Sequence, residues 1–146
     1  MPRYVLLRHE LPPQSGRASH WDFMLEHEGV LWTWALEQLP KLWLVELNLP
    51  HEDASDEVPA RRLADHRLAY LEYEGLVSGD RGSVNRVTQA GYSIITNNAD
   101  LLEVTLDGDL HGLVILTRRN ESIDEWRLRI ERERYEQKVA KDTAQP

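Results

Sequence analysis

The chain has no cysteine, which excludes disulfide staples and thiolate metal sites and fits a reducing cytoplasm. No apolar run approaches the roughly 20 residues that a membrane-crossing helix needs. The opening MPRYVLLRHE lacks the basic-then-apolar layout of a secretion signal, because Arg8, His9 and Glu10 interrupt it early. Positive charge is in the minority: 17 Lys and Arg stand against 25 Asp and Glu, for a net charge of −8. A long non-specific groove for nucleic acid wants the opposite sign. Contact with a strand end, through a metal and a few arginines, remains compatible with it. There is no internal repeat and no linker. The expectation is a cytoplasmic protein without a membrane partner. With 146 residues, 41% hydrophobic and 29% charged, it should build one domain around one core.

What is present reads as short strands. Tyr4 to Arg8 is a compact apolar run. In HWDFMLE, Trp21, Phe23 and Leu25 alternate with His20, Asp22, Met24 and Glu26, the period of a strand. Gly29 marks a turn, and Val30 to Leu36 reads as the returning strand. Leu42 to Leu47 is a further candidate strand, and the acidic, proline-bounded stretch from Pro50 to Pro59 reads as a surface loop. Ser83 to Gln89 and Tyr92 to Thr96 are two more strands. Leu101 to Leu106 and Leu110 to Thr117 flank Asp107-Gly108, a hairpin signal. Trp126, Leu128 and Ile130 alternate as a last strand would. Ser122 and Glu125 form a capping-box pattern that competes for a helix there. The expected architecture is mostly β: a small antiparallel barrel over 1–130 with short flanking helices, and a polar helical or frayed tail over 131–146.

Two features carry chemistry. The run LLRHE ends a strand in Arg8-His9, a pair resembling the Arg-His-Gly start of histidine phosphatases. Here, however, the third residue is Glu10, and hairpins replace the alternating helices of that family. In HWDFMLE, period two sets His20 beside Asp22 on one face. If the preceding strand is a neighbour, His9 completes a two-histidine, one-carboxylate set suited to Mn²⁺, Zn²⁺ or Fe²⁺. The bland alternative is that His20 and Asp22 are the solvated face of an amphipathic strand.

YVLLRHE, HWDFMLEHEGVLWTWAL, RRLADHRLAYLEYEG and LHGLVILTR occur in that order. Together they resemble the 3′-phosphoesterase domain of bacterial DNA ligase D, over about residues 4–119. The resemblance implies a small β-barrel and a Mn²⁺-dependent enzyme, with Zn²⁺ or another divalent cation as the alternative. Such an enzyme removes a 3′-ribonucleoside and then the 3′-phosphate from DNA ends, leaving a 3′-OH for a polymerase or ligase of end joining. It implies His9, His20 and Asp22 as metal ligands. It also implies His66 at the phosphate or leaving group, Tyr70 in the active site and Arg62 upstream of that histidine. The chain departs from the family at Met24, where the family strand carries a phosphate-holding arginine. Arg8 and Arg17 are the candidates to replace that arginine. An insert, ELPPQSGRAS, lengthens the spacing from His9 to His20, and a family glutamate between Arg62 and His66 is lost. These departures motivate the alternative of a catalytically weak or inactive relative that binds metal or acts as a binding module in a repair complex.

Overall fold

The computed structural model describes residues 1–131, so the tail expected over 131–146 lies outside it apart from Glu131. The alternating stretches pair as antiparallel strands. They are β1 (Arg3–Glu10), β2 (His20–His27), β3 (Val30–Leu36), β4 (Glu57–His66), β5 (Gly75–Leu76), β6 (Ser83–Asn97), β7 (Leu101–Leu106), β8 (Gly112–Arg118) and β9 (Glu125–Glu131). They run in the order β1-β2-β3-β4-β9-β8-β7-β6, and β6 pairs back onto β1. The result is a closed eight-stranded barrel with β5 as an extra strand on β6. Closure leaves few unpaired edges. No helix among the described residues is long and apolar enough to cross a membrane.

One strand does the closing. β6 has 15 residues, and it pairs with β1 up to Gly91 and with β7 from Tyr92 onward. The two strands expected at Ser83 to Gln89 and Tyr92 to Thr96 are therefore one continuous strand that changes partners. The loop expected over Pro50 to Pro59 ends early, because Glu57, Val58 and Pro59 already pair with β9. Pro59 is tolerated there because β4 meets β3 only from Arg61 onward. Its missing N–H therefore faces no partner strand. The Asp107-Gly108 connection carries a 3₁₀ turn over Gly108–Leu110, so β8 begins at Gly112. The last segment is strand β9 rather than the competing helix.

Leu42 to Leu47, expected as a strand, is instead the helix α1 (Lys41–Glu46). A six-residue apolar run does not distinguish the two by periodicity. Its C-terminus does, since Asn48 adopts a φ of 59°. The Asn48 N–H donates to Val45 O and the Leu49 N–H to Leu44 O, the paired bonds that close a helix on a left-handed residue. The helix inserts Trp43, fully buried, with its ring 5.3 Å from Phe23. Within the barrel Tyr4, Leu6, Phe23, Trp34 and Leu116 share one core, each such side chain contributing about 1.5–3 kcal/mol on burial.

The outside of β1 and β2 is not left to water. Val5, Leu7, Met24 and Leu31 form a second apolar cluster with Leu71 and Val84, and Tyr70 and Val77 pack against it. The segment between β4 and β6 folds back over this face. β2 is thereby buried on both sides over most of its length, and its polar residues sit beneath a cover.

Candidate metal centre and its clefts

His20 and Asp22 are 5% and 2% exposed, so they are not the solvated face of an amphipathic strand. The register supplies the third member. His9 pairs with His20 across β1 and β2, one step along the same face from the Leu7–Asp22 pair. Nδ1 of His9 lies 3.5 Å from Asp22 Oδ2, and Nε2 of His20 lies 3.1 Å from Asp22 Oδ1. One donor atom from each of His9, His20 and Asp22 falls within 4.8 Å of the others. This group could hold a metal ion.

The hydrogen bonds around the group show what it wants. A carbonyl oxygen only accepts, so His9 donates Nε2–H to Arg81 O at 2.6 Å and His20 donates Nδ1–H to Ala18 O at 3.2 Å. In the neutral rings, the nitrogens that remain carry lone pairs, and both face Asp22. The His20–Asp22 contact is short but not aligned as a hydrogen bond, and Asp22 Oδ1 is buried without a donor. Converging lone pairs with an orphaned carboxylate oxygen need protons or a cation. Backbone carbonyls that fix the ring tautomers are the usual support of metal-bound histidine. With protons in place, burial pushes the Asp22 carboxyl up, but His20 and His9 outweigh it and hold it at about 2. Asp22 in turn raises His9 above its ordinary value of 6.5, against the opposing effect of burial.

A cleft of about 330 Å³ opens on the His9 and Asp22 side. His66, Arg67, Tyr70 and Arg81 line it, and Met24 lies in its floor. A bulge delivers His66. Leu31 and Thr33 are two apart on β3, but their partners His66 and Leu63 are three apart on β4. The extra residue returns His66 to the outer face, where strict alternation would turn it away. Its Nδ1–H donates to Ala64 O at 2.9 Å, leaving Nε2 free, and its ring stands edge-on to Tyr70 at 5.6 Å.

No protein-family model matches this chain, and no curated protein matches it either.

The remaining expected residues lie elsewhere. Arg62 stacks on Trp34 at 4.7 Å, bonds the Thr33 and Leu63 carbonyls and pairs with Asp65 at 3.0 Å. It is not part of the His66 cleft. Arg8 alternates away from His9, pairs with Glu10 at 2.9 Å and lies over Trp21 at 4.2 Å. Arg17 lines a different cleft, on the far side of His20. Sequence reasoning missed Arg67 and Arg81. Arg67 follows His66 directly. Arg81 sits in a loop drawn back by the Val77 N–H to Gly82 O bond of 2.8 Å, which no spacing rule reveals.

Proposed function

We propose that this chain is a metal-dependent phosphoesterase that converts 3′-ribonucleotide and 3′-phosphate ends of DNA to 3′-OH, with Mn²⁺ as its cation. The observation that carries the reading is the convergence of His9, His20 and Asp22 lone pairs beside a cleft lined by His66, Tyr70, Arg67 and Arg81. A donor set of two imidazoles and one carboxylate suits Mn²⁺ or Zn²⁺ and leaves coordination positions open. When bound, such a cation supplies Lewis-acid stabilisation of phosphoryl charge and lowers the pKa of coordinated water. In this reading His66 acts as the general acid at the leaving oxygen, with Tyr70 beside it. Arg67 and Arg81 hold the phosphoryl oxygens. Arg67 has no carboxylate partner among the described residues and is free to do so, whereas Arg62 is already bound to Asp65. A ligase or polymerase of end joining, acting in the cytoplasm, is the class of enzyme that consumes a 3′-OH product.

Met24 favours a second reading, a relative that binds metal without turnover. It is 1% exposed and packed under the cleft, where the family resembled carries an arginine. A labelled primer–template with a 3′-phosphate, supplied with Mn²⁺, separates the two. Wild type should yield the 3′-OH end, and His66→Gln should do so about 100-fold more slowly. No conversion by a wild-type sample that binds Mn²⁺ would sink the DNA-end function and leave either another phosphoester substrate or the binding role.

Protons and the cation compete for the same atoms, so binding releases protons. His9 is raised above 6.5, so in the metal-free protein its stabilising charge is present below that value and lost as pH rises through the raised one. Over the same interval the cation gains. The rise in Tm on adding Mn²⁺ should therefore grow from about pH 5.5 to about pH 8, read by thermal melts with and without chelator. A constant increment would contradict His9 as a ligand.

A further inference from the structure

The cleft on the far side of His20 plays no part in the chemistry above, yet it is the larger one at about 460 Å³. Arg17, Ala18 and Gln38 contribute to its walls, together with Glu37 and Arg61. Backbone pairing fixes its layout. Asp22 pairs with Ala35, and Ala35 pairs with Arg61. These side chains stand in one row on one face, with Arg61 two strand spacings, about 10 Å, from Asp22. The middle residue is only an alanine, so the row between the metal centre and Arg61 stays low. Arg17 lines the same cleft as His20.

Arg3, Arg8, Arg62, Arg118, Arg127 and Arg129 each lie within 4.0 Å of a carboxylate. Arg17 and Arg61, like Arg67, Arg81, Arg86 and Arg119, have no such partner among the described residues, although acidic residues outnumber basic ones 25 to 17; what sets Arg17 and Arg61 apart is that they share one cleft. Glu37 borders the same cleft and pairs with neither. The adjoining hollow shares Pro59 and Arg61 and adds Arg119, which pairs with no carboxylate among the described residues although Asp124 and Glu125, the latter the cross-strand neighbour of Arg61, also line it. Unpaired guanidinium groups placed in succession, in a protein with acid to spare, fit a polyanion that passes along them.

We propose that Arg17 and Arg61 bind the backbone phosphate of a nucleotide adjoining the one at the metal centre, with Arg119 continuing the track. The ligand of the whole face is then an oligonucleotide strand, not a mononucleotide. This rests on the phosphoesterase reading of the neighbouring centre.

The test is binding, separated from turnover. Fluorescence anisotropy of a labelled single-stranded oligonucleotide bearing a 3′-phosphate, in chelator, compares wild type with the Arg17→Ala, Arg61→Ala double variant. The double variant should bind at least about 10-fold more weakly, and its plot of log K against log salt should be shallower by about 0.7 for each phosphate no longer neutralised. The Arg17→Lys, Arg61→Lys pair should restore the slope. Equal affinity and slope in wild type and the alanine pair would overturn the proposal. So would wild-type binding of a mononucleoside 3′-phosphate as tight as that of the oligonucleotide, or no oligonucleotide binding at all. Hydrolysis with Mn²⁺ is scored separately. If binding follows the arginines but no 3′-phosphate is released, the phosphoesterase reading fails and the phosphate track stands.

Discussion

Asp22→Asn should abolish metal binding while leaving the metal-free protein as stable as wild type, or more so. The substitution keeps the shape of the side chain and removes its charge. In the metal-free wild type above the histidine range, Asp22 Oδ1 is buried without a donor. It also faces the lone pair of His20 at 3.1 Å. An asparagine amide there donates to that nitrogen, so an orphaned acceptor becomes a satisfied pair. The cation, by contrast, loses its only anionic ligand in the group formed with His9 and His20. Changes to residues that merely support a metal ligand cost about 10–100-fold in affinity, so loss of a ligand should exceed about 100-fold. Titration calorimetry with Mn²⁺ and thermal melts with and without chelator, at about pH 8, read both halves. The opposite pattern is equally informative. If the cluster is only a buried ion pair, removing one partner destabilises the fold by about 3–5 kcal/mol and leaves metal binding where it was. Gain of stability with loss of binding is the signature of a site kept for its ligand.

Parts of this centre were legible in the sequence, and the reason is geometric. His20 and Asp22 are two apart on a strand, and period two alone sets them side by side. His9 required one further step, that consecutive strands be neighbours, and the register aligns it with His20. His66 was reachable only through resemblance, because a bulge between Leu63 and His66 resets its face. Arg61, Arg67 and Arg81 were out of reach, since their places depend on how β4 crosses β3 and how the segment before β6 folds back. The strands were readable wherever one face meets the core, as in Val30–Leu36 and Leu101–Leu106. They were not readable where one strand serves two partners, as β6 does, or where a short apolar run is a helix, as at Trp43. Asn48, the left-handed residue that closes α1, was the available signal.

Gly82→Ala should weaken both the fold and the metal centre, although Gly82 touches no ligand. Its φ is +79°, and a Cβ built on it would come to 1.8 Å from Glu10 O and 2.9 Å from the Glu10 carbonyl carbon. Both atoms are backbone, so no side chain can swing aside. The left-handed conformation alone costs an L-residue about 1–2 kcal/mol, and the clash forces the chain to lift from the end of β1. That chain carries two bonds the centre relies on. Gly82 O accepts the Val77 N–H at 2.8 Å, which holds the cover of the cleft. The preceding carbonyl, Arg81 O, accepts His9 Nε2–H at 2.6 Å and so keeps the His9 Nδ1 lone pair on Asp22. Loss of such a tautomer-fixing contact costs about 10–100-fold in metal affinity. Gly29→Ala is the matched control: its φ is +86°, with nothing within 4 Å of an added Cβ. It should lower Tm through conformation alone and leave Mn²⁺ affinity unchanged. Gly82→Ala should lower Tm further and reduce affinity by about 10-fold or more. Equal metal affinity in the two variants would mean that the Arg81 carbonyl does not orient His9, and His20 and Asp22 would then have to hold the cation without it.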